Sequence, residues 1–229
     1  MPDPKLHRIP SRRDHVSFIT PFFVLLMNLP SVVHVMLLQR CNVFPHEFLP
    51  LNIFEQRYRT MLSHALEHDR MMCVGKLDPP DDDDEAMESD DRINEFSTVA
   101  IVRACVANDD GTSHLMLQGV QRVRFVSWEQ YEPFRIARIE AVETRISDAK
   151  TARKKSRQLR DRVLELIPED TQPSRQLVEQ IGKLDEPEHL ADFIAANCIR
   201  NACVRHPLLG LANVEDRIDF LLDLLPAAS

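Results

Sequence analysis

Residues 41–66 constrain the fold of this chain more than any other stretch. Their first half is apolar but contains Pro45 and Pro50, and proline cannot donate a hydrogen bond within the middle of a β-sheet. We therefore expect short extended pieces with bends. The second half repeats apolar residues at the spacing of one helical stripe, which comprises Phe54, Tyr58, Met61, Leu62, Ala65 and Leu66. A bent strand that leads into one amphipathic helix predicts a small β-barrel whose mouth the helix plugs.

Further strands are predicted from runs of β-prone residues on either side of this unit. The predicted strands cover residues 32–38, 49–53, 71–77, 97–107, 114–126 and 134–144, and the first helix covers residues 55–68. Residues 108–112 separate two of these strands and include Gly111, which tolerates a positive φ. This pattern predicts a β-hairpin.

From residue 147 onward the apolar residues recur at helical rather than strand spacing. The predicted helices cover residues 149–166 and 173–182. A third is expected to open with Asp185 and Glu188 as a capping box, and a fourth with Asn213 as its cap. The predicted fold class is therefore α+β, with a β-rich part at residues 31–146 and a helical bundle at residues 147–229.

The acidity of the chain is concentrated in residues 78–95. This segment has ten acidic residues and one arginine, a net charge of −9, whereas the whole chain has a net charge of −8. Like charges at this density repel one another and do not pack into a core. We therefore predict a mobile acidic loop within the β-rich part.

Residues 1–30 combine basic residues with an apolar run at residues 16–29. The run is too short for a confident membrane span, and no small-residue cleavage site follows it. We expect a disordered or artefactual extension, for which Met27 offers an alternative start. A secretion signal and a structural element remain the alternatives.

The segment VFPHEFLPLNIFEQRYRTML resembles the signature of the Lon protease N-terminal, substrate-binding domain. The matching residues are Val43, Phe44, Pro45, Leu49, Pro50, Leu51, Ile53, Phe54, Glu55, Arg57 and Tyr58. His46 stands where that family usually has glycine. This departure affects the expected turn, because histidine adopts a positive φ less readily than glycine. Gly119 and Arg122 match a second motif, and the helical segments near residues 185–198 and 213–225 are also similar. The resemblance implies a PUA-like β-pseudobarrel with one packed helix, followed by a helical bundle.

Enzymatic motifs give little support to a catalytic function. The sequence has no G-x-x-x-x-G-K-[ST] phosphate-binding loop, and only five glycines. His64, Glu67 and His68 spell H-x-x-E-H, a zinc-peptidase pattern, but both histidines lie off the apolar stripe and are expected to face solvent. We therefore expect a stand-alone, non-enzymatic domain without ATPase or protease modules, cofactor or metal.

Binding of unfolded or tagged polypeptides is the function that the resemblance implies. An extended peptide is expected near the barrel edge and its junction with the helices, with Phe44, Phe48, Leu49 and Tyr58 as candidate contacts. The expected partners are unfolded or partly folded proteins and an ATP-dependent protease, which would make the chain an adaptor in protein quality control. The sequence leaves the oligomeric state open.

The alternative function is RNA binding by a PUA-like module. Its candidate surface is the basic face of the helix at residues 149–166, which carries Lys150, Arg153, Lys154, Lys155, Arg157, Arg160 and Arg162. No aromatic residues alternate with these cations for base stacking, and the acidic segment repels a polyanion, so nucleic acid is disfavoured. Neither a membrane nor a disulfide framework is expected. The five cysteines form no C-x-x-C pair, which indicates reduced thiols in the cytoplasm.

Overall fold

The computed structural model describes residues 29–79, 89–168 and 170–226, and its strands precede most of its helices. The strands are β1 (Val32–Gln39), β2 (Phe48–Ile53), β3 (Met71–Leu77), β4 (Phe96–Ala107), β5 (Ser113–Gln130) and β6 (Arg135–Ala141). The helices are α1 (Gln56–Glu67), α2 (Ala149–Leu166), α3 (Gln172–Gly182), α4 (Pro187–Cys198), α5 (Ala202–Arg205) and α6 (Val214–Leu224). Short 3-10 helices lie at Asp90–Arg92 and His206–Leu209.

The strands form one sheet that closes on itself through the long strand β5. The order is β2-β5-β4-β3-β1-β6, and β5 also pairs with β6. The β1–β3 pair is parallel, and the other pairs are antiparallel. Because β5 has 18 residues, its first part pairs with β2 and its last part with β6, while β4 runs along its other side. The predicted α+β fold, a barrel followed by helices, is confirmed.

Helix α1 packs its apolar stripe into the barrel core. Tyr58, Met61, Leu62 and Ala65 are buried together with residues of β1, β3, β4 and β5. The hydroxyl of Tyr58 accepts from the amide of Leu37 and donates to its carbonyl, which ties the helix to β1. Phe54 was predicted to begin this stripe, but it precedes the helix and is exposed. That part of the prediction was wrong because Phe54 lies before the first helical turn.

A tight turn before β2 brings the chain against strand β5. The amide of Glu47 donates to the carbonyl of Phe44 at 3.1 Å, and Pro45 and His46 occupy the two central positions. His46 has φ +67°, so it adopts the left-handed conformation for which glycine is the favoured residue. Its amide donates to the carbonyl of Gly119 at 2.9 Å. The histidine is therefore accommodated in the turn through backbone bonds to β5.

Gly119 allows this close approach. A Cβ atom at this position would overlap the backbone carbonyl of Phe44, and no flexible side-chain end is available to move aside. The amide of Gly119 also donates to the carbonyl of Glu47 at 2.9 Å. The strand and the turn are thus in backbone contact.

The helices after residue 147 largely follow the predicted pattern. Asp148 caps α2 by accepting from the amides of Lys150 and Thr151, and Asn213 caps α6 as predicted. The predicted capping box at Asp185 was wrong, because α4 begins after Glu186 and has no side-chain cap. The sequence analysis also missed α5, since four residues are too few to establish a helical period.

The acidic segment has a defined structure at its two ends. Residues 80–88 lie outside the described residues. Beyond them, the Arg92 guanidinium donates through Nε and Nη2 to the carbonyl of Asp78, at 3.1 and 2.6 Å, and Ile93 bridges to Leu77. These ends therefore differ from the mobile loop predicted for residues 78–95.

The predicted N-terminal extension falls mainly on residues 1–28, which also lie outside the described residues. Across residues 29–79, 89–168 and 170–226, none of the helices combines the length and the apolar character needed to cross a bilayer.

We predict that Gly119→Ala lowers the free energy of unfolding by about 2 kcal/mol or more, because the new methyl group has to displace the turn at Phe44. Urea denaturation followed by circular dichroism measures this change. Gly182→Ala is the matched control, since nothing lies within 4 Å of a Cβ atom there. An equal effect of the two substitutions would contradict the role of Gly119.

Candidate functional site

A groove of about 450 Å³ lies between the turn before β2 and helices α3 and α4; we call it the junction groove. Its apolar lining residues are Pro45, Phe48, Leu184, Phe193 and Ala196. Its polar lining residues are His46, Glu47, Gln180, His189, Asp192 and Asn197. The groove therefore offers both apolar surface and polar groups, the two kinds of contact that ligand-binding sites use.

Phe44 anchors the turn that forms one wall of the groove. Its side chain is completely buried and belongs to the core of the helical part rather than to the barrel core. The guanidinium carbons of Arg122 and Arg205 each lie 5.8 Å from its ring centroid. Because Phe44 points into the helices, the following residues of the turn face the groove.

A buried ionic cluster holds the barrel and the helices together beneath the groove. Asp192 on α4 accepts hydrogen bonds from both Nη atoms of Arg122 on β5, one of them at 2.7 Å, and from Nη1 of Arg217 on α6 at 2.9 Å. All three side chains are at most 5% exposed. Burial, followed by the charge of Arg122, lowers the pKa of Arg217. The second arginine is therefore held at an electrostatic cost, which the carboxylate of Asp192 offsets.

Asn42 and Arg205 tie the two parts together on the other side of Phe44. The Asn42 amide donates to the carbonyl of Ala202 at 2.9 Å. Arg205 donates through Nε to Oδ1 of Asn42 at 2.6 Å and through Nη1 to the carbonyl of Ala196 at 2.5 Å. The wall of the groove thus rests on fixed contacts.

Two titratable side chains on the groove wall, His46 and Glu47, have shifted pKa values. The imidazole rings of His46 and His189 meet edge to face with centroids 4.5 Å apart. Burial, followed by the neighbouring His189, lowers the pKa of His46, so its ring is neutral at pH 7. Burial raises the pKa of Glu47, although the amide of Phe44 and the charge of Arg205 oppose that shift. The ring of His46 therefore adds no positive charge to the groove wall at pH 7.

The four predicted contact residues occupy different environments. Phe48 lines the groove and is 57% exposed, and Leu49 is half-buried against the barrel core. Phe44 and Tyr58 are buried, so a peptide bound at the surface does not reach them. Their apolar side chains belong to the two cores, Tyr58 to the barrel core and Phe44 to the helical core.

Sequence reasoning missed the contribution of helix α4 to the groove. His189, Asp192, Phe193 and Ala196 all line it, at positions i, i+3, i+4 and i+7 of one helical face. That periodicity was visible in the sequence. The sequence gave no sign, however, that this face meets the turn near residue 46.

The other predicted features also have defined positions. His64 and His68 are exposed on α1, and among the described residues no cluster of three or more His, Cys, Asp or Glu side chains is arranged to hold a metal ion. On α2, Lys155 pairs with Asp219, and Arg160 donates to the carbonyl of Leu184. The exposed cations of the basic face are Lys150, Arg153, Lys154 and Arg157.

We predict that Asp192→Asn destabilises the protein by about 3–5 kcal/mol, because it leaves two buried guanidinium groups without a countercharge. The free energy of unfolding from urea denaturation measures the effect. Asp219→Asn is the control: it removes a more exposed ion pair with Lys155 and is expected to cost less than about 1 kcal/mol. Similar losses for the two variants would contradict the importance of the buried cluster.

Comparison with known families gives one family match over most of the chain. Residues 32–227 match the family model of the ATP-dependent protease La (LON) substrate-binding domain. Two similar proteins are the Lon protease of Dictyoglomus thermophilum, 27% identical over 83% of this chain, and Lon protease 2 of Myxococcus xanthus, 29% identical over 86%. The chain spans about a quarter of the length of these relatives, 24% in both cases.

Solved structures with a similar fold are also N-terminal domains. The N-terminal domain of the Mycobacterium avium complex Lon protease has a TM-score of 0.67 at 14% identity and covers 84% of this chain and 96% of its own. The Lon N-terminal domain protein from Xanthomonas campestris has a TM-score of 0.59 at 15% identity and covers 86% and 100%. These similarities show the fold.

Proposed function

Because the chain belongs to the ATP-dependent protease La (LON) substrate-binding domain family, we propose that it binds unfolded or tagged polypeptides and holds them in the junction groove. The observation that carries this proposal is the position of Phe48, an exposed aromatic residue on the wall of that groove. Aromatic anchors next to apolar pockets dominate the affinity of many protein interfaces.

The shape and chemistry of the groove support an extended, uncharged segment as the ligand. Pro45, Phe48 and Phe193 supply apolar surface, while Gln180 and Asn197 offer amide groups for hydrogen bonds to a peptide backbone. The neutral ring of His46 adds no charge to the wall. A segment with one or two large apolar side chains suits this arrangement, and unfolded proteins expose such segments.

Strand β2 supports the extended form of the bound segment. Among the described strands it pairs with β5 alone, so its other edge lacks a strand partner. The amide of Gly119 donates to the carbonyl of Glu47, so the backbone groups of alternate residues from Glu47 onward point toward β5. The amide and carbonyl groups of the residues between them, Phe48, Pro50 and Asn52, therefore point away from β5, except that Pro50 has no amide hydrogen. Pro50 therefore offers only its carbonyl at this edge. A peptide added here is an additional strand that reaches the groove at Phe48.

In the proposed role the protein binds polypeptides in the cytoplasm and catalyses no reaction. The family match covers a substrate-binding domain and neither an ATPase nor a protease module. All five cysteines are free thiols, which is consistent with a reducing compartment. In this role the chain acts as an adaptor in protein quality control, and an ATP-dependent protease is the partner that degrades what it holds.

We predict that Phe48→Ser weakens binding of a permanently unfolded, carboxymethylated model protein by about tenfold or more, because it removes the aromatic anchor of the groove. Fluorescence anisotropy with the labelled model protein gives the Kd. Because Phe48 is largely exposed, its replacement is expected to leave the fold intact, which circular dichroism checks.

Phe54→Ser is the matched control for Phe48→Ser. Phe54 is 64% exposed but lies beyond the other end of β2 and does not line the groove. The proposal expects near wild-type affinity for this variant. Equal affinity of the wild type and Phe48→Ser would contradict the assignment of the groove, and failure of the wild type to bind any unfolded protein would contradict the function itself.

The exposed cations of α2 support nucleic-acid binding as a second candidate function. Lys150, Arg153, Lys154 and Arg157 recur at i, i+3, i+4 and i+7 on one face, and no described carboxylate pairs with them. They lie in the N-terminal half of the helix, where the helix dipole disfavours positive charge. A polyanionic partner would offset that cost.

For this candidate we predict salt-dependent binding of single-stranded RNA that is lost in the double variant Arg153→Glu and Lys154→Glu. Filter binding at two salt concentrations measures it. A double variant of Arg138→Glu and Lys183→Glu reverses the same charge at exposed positions outside α2 and serves as the control. Absence of RNA binding by the wild type at low salt would eliminate this candidate.

A further inference from the structure

Three histidines meet on the outer side of α1, away from the residues that line the junction groove. His64 and His68 project from the helix, and His34 reaches them from strand β1. We propose that His64 and His68 form a two-ligand site for a divalent transition-metal ion such as Zn²⁺, and that His34 orients the site. This inference is independent of the proposed function.

The two proposed ligands are close enough to share one ion. They are four residues apart on α1, so they lie on the same helical face. Their rings are nearly parallel, with an interplanar angle of 23° and centroids 4.5 Å apart. An imidazole binds a metal through the lone pair in its ring plane, so a shared ion lies beside the stacked rings, and both rings turn their Nε2 atoms toward it to form Zn–N bonds of about 2.0–2.1 Å.

The hydrogen bond of His68 leaves the nitrogen needed for a metal available. Nδ1 of His68 lies 2.7 Å from the backbone carbonyl oxygen of His64. A carbonyl only accepts, so Nδ1 carries the hydrogen in the neutral ring. The lone pair of the ring is therefore on Nε2, and the bond fixes the orientation of the ring.

His34 occupies the other nitrogen of His64. Nε2 of His34 lies 2.8 Å from Nδ1 of His64, so the two nitrogens share one hydrogen. Metal binding through Nε2 of His64 requires that its Nδ1 donates to His34. His34 then acts as the acceptor that orients a metal-binding imidazole.

The chemistry of the site selects the class of ion. Two neutral imidazoles suit Zn²⁺, Cu²⁺ and Ni²⁺ better than Mg²⁺ or Ca²⁺, which prefer oxygen ligands. No third His, Cys, Asp or Glu completes the set among the described residues. Water therefore fills the remaining coordination positions of the ion. A site with two protein ligands and open positions binds metal reversibly at the surface and differs from a structural zinc site, in which four protein ligands enclose the ion.

Isothermal titration of Zn²⁺ into the full-length protein tests the proposal, with Cys203→Ser as the common background because Cys203 is an exposed thiol. We expect one site per chain, with affinity reduced about 100-fold by His64→Ala or His68→Ala. His34→Leu, which removes the orienting acceptor, is expected to weaken binding about tenfold, and His34→Gln, which keeps an acceptor, is expected to weaken it less.

His114→Ala is the matched control, since His114 is exposed on β5 and outside the cluster. It is expected to bind Zn²⁺ as the background protein does. Both proposed ligands are exposed, so their replacement leaves the fold intact. Unchanged affinity and stoichiometry in His64→Ala and His68→Ala, or no Zn²⁺ binding by the background protein, would overturn the proposal. Equal losses in His34→Leu and His34→Gln would overturn the orienting role of His34.

Discussion

The arrangement of the barrel and the helices depends on the ionic contacts of the Asp192 carboxylate. It lies between the guanidinium groups of Arg122 and Arg217, and all three side chains are buried. Each belongs to a different element, β5, α4 and α6, so one cluster fixes a barrel strand relative to two helices. A buried charge is costly without its partner, and this cost opposes any separation of the barrel from the helices.

The turn before β2 lies beside this cluster and connects the buried junction to the exposed groove wall. Phe44 is inserted into the helical core, and Gly119 lets the turn lie directly on β5. The chain then emerges through His46 at positive φ and exposes Phe48 at the groove. An exposed residue of the proposed binding site is thus supported by buried residues of the junction. Such preorganisation lowers the conformational entropy that the groove itself would lose on binding a peptide.

The secondary structure was largely readable from the chain because it depends on local spacing and caps. The helix at residues 149–166 and the cap at Asn213 were predicted at the positions where the structure has them. Errors arose where tertiary contacts decide. Phe44 was a candidate peptide contact, and it is buried among helices more than 100 residues away in the sequence, because apolar character alone does not identify the core that a side chain joins.

By itself, the sequence determined the order and type of most elements and the likeness to one domain family, and it named Phe48 as a candidate contact. The tertiary structure alone decided which residues share a site: the α4 face meets the turn near His46, and His34 meets His64 across 30 positions of sequence. The physical reason is that periodicity reports which face of an element is apolar. It carries no information on which distant element packs against that face.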